Sequence, residues 1–135
     1  MDTATAQRVE DQLAIRELSA RYNYAIDEGQ ADEWVATFVA DGTFESTALG
    51  TFTGADALRE FATGYSAAFI GRHCTSDYVV EVNGDDAKQR CYLILVNNAA
   101  TPVIAVTAVY EDVLRRTADG WRFVHRKVTP DTAIH

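Results

Sequence analysis

His73–Asn98, HCTSDYVVEVNGDDAKQRCYLILVNN, decides the fold. Two runs rich in Val, Tyr, Leu and Ile flank Asn83-Gly84, a pair that favours the left-handed backbone of a two-residue hairpin turn. The first strand runs from His73 to Val82 and the second returns over Ala87–Asn98. The same grammar continues to the right. Val103–Thr117, VIAVTAVYEDVLRRT, is a long β-branched run that ends at Asp119-Gly120, and Trp121–Thr129, WRFVHRKVT, follows it. The second half of the chain therefore reads as a meander of four long antiparallel strands.

Leftward the period changes from two to 3.6. Ile15, Leu18, Tyr22 and Ile26 fall on one face of a helix spanning Val9–Glu28, with Gly29 as its stop. A shorter helix is expected over Ala31–Phe38. Asp41-Gly42 reads as a turn, Thr43–Ser46 as a short strand and Thr51–Thr53 as another. Thr53-Gly-Ala-Asp56 has the S/T-x-x-D form of a helix start and opens a helix over Ala55–Ala68. Helices gathered in one half and an antiparallel sheet in the other make an α+β domain over residues 1–135. A strongly curved sheet under one helical layer encloses a pocket.

The composition narrows the function classes. The 135 residues are 47% hydrophobic and 24% charged, with a net charge of −8. An acidic chain lacks the basic surface that nucleic acid or an anionic membrane requires. The longest apolar runs, Tyr92–Val96 and Val103–Val109, are too short to span a bilayer. The polar start MDTATAQRVEDQ has no basic-then-apolar pattern of a signal peptide. Cys74 and Cys91 are too few for a disulfide framework and lack metal-ligand spacing. A cytoplasmic protein with free thiols, no metal and no cofactor is expected.

Three polar residues stand out. Asp27 ends the first helix, where the helix dipole disfavours a carboxylate. The bland alternative is a solvated acid beside Glu28 and Asp32. Of three histidines, His135 is terminal and His125 lies in the last strand, whereas His73 opens the first long strand. Histidine titrates near neutrality and serves as a general base when a carboxylate orients it. Asp27 is a candidate for that carboxylate, although spacing alone does not bring the two together. Arg126 shares strand parity with Val124 and Val128, while Trp121, Phe123 and His125 point the other way. An arginine so placed either faces a pocket, partnered by a protein carboxylate or a ligand oxygen, or is a surface arginine on an edge strand. Asp77 shares parity with His73 and is either a second pocket acid or a partner for Arg90 or Lys88. Cys74 points away from His73, so a Cys-His pair is not expected. No nucleophile-elbow, phosphate-loop or zinc-helix motif is present.

Ala14–Glu45, AIRELSARYNYAIDEGQADEWVATFVADGTFE, resembles the opening of the SnoaL-like proteins of the nuclear transport factor 2-like superfamily. GADAL, GRHCTSDYVVEVNGDDA and YEDVLRRTADGWRFVHRKV match the same pattern in order. The resemblance, from about Val9 to Val128, implies a cone-shaped barrel: a strongly curved mixed sheet packed against three helices around a central pocket. It is similar to the branch of scytalone dehydratase, bile-acid 7α-dehydratase and hexachlorocyclohexane dehydrochlorinase. That similarity implies Asp27 and His73 as a catalytic dyad, with Tyr22 and Arg126 beside them. Asp77 departs from the Asn expected four residues after the histidine.

The expected activity is a cofactor-independent lyase or isomerase, dehydratase-like, acting on a small hydrophobic hydroxylated or carbonyl compound of steroid, terpenoid or polyketide type. The walls are expected from Trp34, Phe38, Phe44, Phe61, Tyr65, Phe69, Leu93, Leu95, Val109 and Tyr110, with Asp77 at the floor. The alternatives are a non-catalytic binder or accessory subunit, in which the dyad is structural, and a polyketide cyclase or hydrolase on the same scaffold. An apolar outer sheet face carrying Trp121 and Phe123 would drive formation of a homodimer or homotrimer.

Overall fold

The computed structural model describes residues 2–132; His135 lies outside them. Helix α1, Thr3–Asp27, starts six residues before its apolar stripe suggests. Its first turns are polar, and Asp2 makes them stable by accepting from the Thr5 N–H at 2.7 Å. The stripe itself behaves as read: Ile15, Leu18, Tyr22 and Ile26 are all buried. Helix α2 is only Ala31–Val35. The chain then enters β1, Phe38–Ser46, so Asp41-Gly42 is a bulge within a strand and not a turn. Strand β2 is Gly50–Thr53 and helix α3 is Ala55–Ala68. The start of α3 has no side-chain cap: Gly54 occupies that position, and Thr53 Oγ1 instead pairs with Thr43 Oγ1 at 3.0 Å across the β1–β2 hairpin.

The meander is present in full: β3 Gly71–Asn83, β4 Asp86–Asn97, β5 Val103–Thr117 and β6 Gly120–Pro130. The two short turns sit one residue from the sequence signal, with loops at Gly84-Asp85 and Ala118-Asp119. Six strands form one mixed sheet in the order β2-β1-β6-β5-β4-β3. All pairs are antiparallel except β1 with β6, which run parallel and join the two halves of the chain. The helices cover the concave face, and the core lies between them and the inward side chains of β1, β4, β5 and β6.

Two bulges reset which residues face inward. In β6 the inward set is Trp121, Phe123, Arg126 and Val128, because the β5–β6 register shifts between Val113 and Leu114, opposite His125 and Phe123. One extra residue, Val124, flips the parity. Trp121 and Phe123 are therefore core residues, 4% and 0% exposed, and make no outer patch. In β3 the shift falls between Ser76 and Val79, where Asp77 adopts φ 59°. Aspartate tolerates that left-handed backbone better than most residues.

Asp11 locks the far end of α1 to the sheet. Its carboxylate accepts from Arg116 Nη1 at 2.7 Å and Nη2 at 2.9 Å, and from Trp121 Nε1 at 3.2 Å. The Arg116 guanidinium is the main reason its pKa falls to about 2, helped by Trp121 and Gln7 and opposed by burial. Among the described residues no helix is long and apolar enough to cross a membrane.

Candidate active site

Asp27 is the last residue of α1, against the unfavourable end of the helix dipole. Donors at the start of β3 compensate. The His73 backbone N–H donates to Oδ2 at 2.9 Å and reaches Oδ1 at 3.2 Å, and His73 Nδ1 lies 2.6 Å from Oδ1. The His73 and Asp27 side chains are only 7% and 15% exposed, so water screens the pair little. Gly71 makes the approach possible. A Cβ there would run into the Val96 carbonyl oxygen and the Phe69 ring. An ionised carboxylate only accepts, so Nδ1 carries the proton and Nε2 is the nitrogen left for a ligand.

His73 lines an apolar cavity of about 80 Å³ inside the cone. Tyr22, Phe44, Phe61, Tyr65, Leu93, Leu95 and Tyr110 line it too, as the sequence reading expected. The reading missed Ile26, Ser46, Val106, Ala108 and Val128. Their signals were available: Ile26 is on the apolar stripe of α1, Ser46 is two residues from Phe44, and Val106 and Ala108 share parity with Tyr110. Exposed Ala48 and Leu49, with half-buried Pro130, mark the mouth. Burial raises the pKa of Tyr22, with the nearby Arg126 charge and a hydrogen bond to Tyr110 working the other way.

Six expected site residues lie elsewhere. Trp34 and Phe38 are core rings packed at a tilt against Tyr22, with centroids 5.4 and 6.3 Å away. Phe69 packs on the outer side of Tyr65 at 5.5 Å and is not a wall. Val109 points to the outer face, since its neighbours Ala108 and Tyr110 point in. Asp77 is exposed on that same outer side, because the β3 bulge breaks its parity with His73.

Arg126 is the sixth. It is fully buried, and its Nε lies 3.1 Å from Asp112 Oδ1, its partner across β5–β6. The guanidinium carbon sits 3.6 Å from the centroid of Tyr110, 4.3 Å from Tyr22 and 4.6 Å from Phe123. Gln89 Nε2 donates to Asp112 Oδ2 at 2.8 Å and to Ser19 Oγ at 3.0 Å, which extends the network to α1. Burial raises the pKa of Asp112, and the Arg126 charge opposes that rise. Arg126 thus has the buried-carboxylate partner and sits under the pocket aromatics, not on the cavity surface. Among the described residues no group of three or more His, Cys, Asp or Glu side chains is arranged to hold a metal ion.

The sequence model of the SnoaL-like domain matches residues 7–127. The chain belongs to the SnoaL-like family. Its fold is that of the nuclear transport factor 2-like superfamily. A protein of unknown function from Mycobacterium tuberculosis, solved as a variant with one Asp changed to Asn, is 32% identical with a TM-score of 0.90, over 99% of this chain and 79% of that one. A nuclear transport factor 2-like protein with a cystatin-like fold from Novosphingobium aromaticivorans is 28% identical with a TM-score of 0.88, over 97% and 88%. An uncharacterised protein of M. tuberculosis strain H37Rv is 28% identical over 90% of this chain and 86% of its own length. A candidate scytalone dehydratase from N. aromaticivorans has a TM-score of 0.84 at 22% identity, over 97% and 92%, a likeness of fold. The SnoaL-like cone thus accounts for the cavity, while the chemistry must come from the side chains in it.

Proposed function

We propose that this SnoaL-like protein is a cofactor-independent lyase or isomerase that removes a proton from carbon with His73. The observation that carries this reading is the 2.6 Å contact of Asp27 with Nδ1 of His73, a residue that lines an apolar cavity while Asp27 stands behind it. Asp27 fixes the tautomer, so that Nε2 offers its lone pair to a carbon acid next to a carbonyl or to a leaving group. The proton moves to Nε2, and Asp27 stabilises the imidazolium. The electron pair from the broken C–H bond goes to the carbonyl oxygen or expels hydroxide. Returning the proton to another carbon completes an isomerisation, and giving it to the departing hydroxide completes a dehydration. Tyr22 lines the same wall and is the candidate donor to the departing hydroxide.

The cavity of about 80 Å³ is smaller than the ~150 Å³ that encloses a benzene. It suits the reacting end of a steroid-like, terpenoid or polyketide molecule, with the remainder passing Leu49 and Pro130 at the mouth. The test needs no known substrate. Hydroxylated ketones are incubated in deuterium oxide and followed by mass spectrometry for α-deuteration and for water loss. The wild type is expected to exchange or dehydrate at least one of them, and His73→Ala to be slower by about 10²–10⁴-fold. Undiminished exchange in His73→Ala defeats the proposal.

The bond from the His73 backbone N–H to Asp27 favours a second reading, in which the carboxylate serves only to pin α1 to β3 in a non-catalytic binder. That reading expects Asp27→Asn to lower the melting temperature severely while no ketone is turned over by the wild type.

A further inference from the structure

Tyr65, on α3, lines the cavity that holds His73, and their ring centroids are 5.8 Å apart. Its hydroxyl is buried and has no hydrogen-bond partner among the described residues. Such groups are rare in folded proteins, because a buried donor without a partner is unfavourable, and a ligand in the cavity would supply what the chain does not. The other tyrosines on this wall, Tyr22 and Tyr110, are each 2% exposed and hold the Arg126 guanidinium against their rings. No lysine or arginine lines the cavity, and the remaining walls are mostly hydrocarbon.

We propose that the Tyr65 hydroxyl is the hydrogen-bond donor that fixes the oxygen of a neutral carbonyl ligand beside His73. Burial, with smaller contributions from Tyr22 and Asp27, holds the phenol far above its ordinary titration range. Tyr65 therefore acts as a donor and not as a base. A ligand bearing one carbonyl at its apolar reacting end meets both side chains: Tyr65 takes the oxygen and His73 faces a neighbouring carbon. An anionic ligand finds no countercharge. This inference rests on the cavity being the ligand site, but not on His73 acting as a base.

The test uses two probes of one shape, cyclopentanone and methylenecyclopentane, titrated into the intact protein and followed by NMR. Tyr65→Phe is expected to weaken cyclopentanone about tenfold and to leave methylenecyclopentane unchanged. The carbon-13 shift of the bound carbonyl should move downfield with the wild type and with His73→Ala, and stay near its free value with Tyr65→Phe. The melting temperature of Tyr65→Phe without ligand should equal or exceed that of the wild type, because an unpaired hydroxyl is removed. Equal weakening of both probes, a lowered melting temperature, or no binding of either probe to the wild type overturns the assignment. Loss of α-deuteration in His73→Ala with the carbonyl shift kept tests the proton-transfer reading separately.

Discussion

Replacing Arg126 by methionine separates a scaffold arginine from a substrate-binding one. The substitution keeps the volume of the aliphatic stem but leaves Asp112, with a side chain 0% exposed, holding a charge that no cation balances. Gln89 still donates to Oδ2 but cannot neutralise it. Removing one partner of a buried pair costs about 3–5 kcal/mol. With a urea slope of about 2 kcal/mol/M for a chain of this size, the midpoint should fall by about 2 M. Tryptophan fluorescence in a urea titration reads this directly, since Trp34 and Trp121 are both buried in the core. Adding Asp112→Leu to Arg126→Met should restore most of the loss, because two apolar side chains of similar volume leave no unpaired charge. The reasoning is refuted if Arg126→Met shifts the midpoint by less than about 0.5 M while abolishing ligand binding. Arg126 would then belong to the site and not to the frame beneath it.

Asp11 should give the protein an acid-sensitive increment of stability. Its folded pKa of about 2 lies below the ordinary 3.8, so the increment is complete above pH 4 and is lost as pH falls toward 2. Discounted for the one-third exposure of Arg116, it amounts to about 1–2 kcal/mol. Asp11→Asn should be less stable by that amount at pH 7, with the gap closing between pH 4 and pH 2 in urea titrations. A gap that stays constant over this range contradicts the assignment. Self-association must use a different surface from Trp121 and Phe123, which are buried. The outer sheet face exposes Val79, Tyr92, Ile94 and Val113. Among them lie Glu81 opposite Lys88, and Arg90 opposite Glu111, charges of both signs that a second copy can complement across a two-fold axis. We propose a homodimer through this face. Sedimentation should show a dimer at micromolar concentration and a monomer for Val113→Glu, and a wild-type monomer refutes it.

Most of the fold was legible because its signals are periodic. The stripe of α1, the four long strands and the dyad elements follow from periods of 3.6 and two together with the glycine turns. The errors in β3 and β6 share one cause: a parity argument assumes a period of two without interruption, and a single bulge inverts everything beyond it. Val124 gives no local warning, being a good strand former in the middle of a strand. Asp77 gives a faint one, since Thr75-Ser76-Asp77 is a polar break in a β-branched run. The parity argument sets Arg126 with Val124 and Val128, of which only Val128 faces inward with it, and leaves a pocket-facing and a surface arginine both open. Its partner was also visible in principle. Of the adjacent acids Glu111 and Asp112, alternation forces one inward, and a buried acid on a strand next to a buried arginine is a pair. The unpartnered Tyr65 hydroxyl was not legible, because no sequence pattern records which hydroxyl lacks a partner.

The parallel pairing of β1 with β6 has a consequence for how the cone is made. It sets Phe38 beside Phe123, so a strand formed early must wait for the strand made after the other five. On the ribosome, β1–β2 and β3–β4–β5 can form as separate hairpin sheets, but each has an open edge until β6 slides between them. Contacts this distant in sequence slow folding, and an open edge during synthesis is where misassociation begins. Because β6 also delivers Arg126 to Asp112, its arrival ends two hazards together: it covers the edges of β1 and β5 and neutralises a carboxylate committed to the interior.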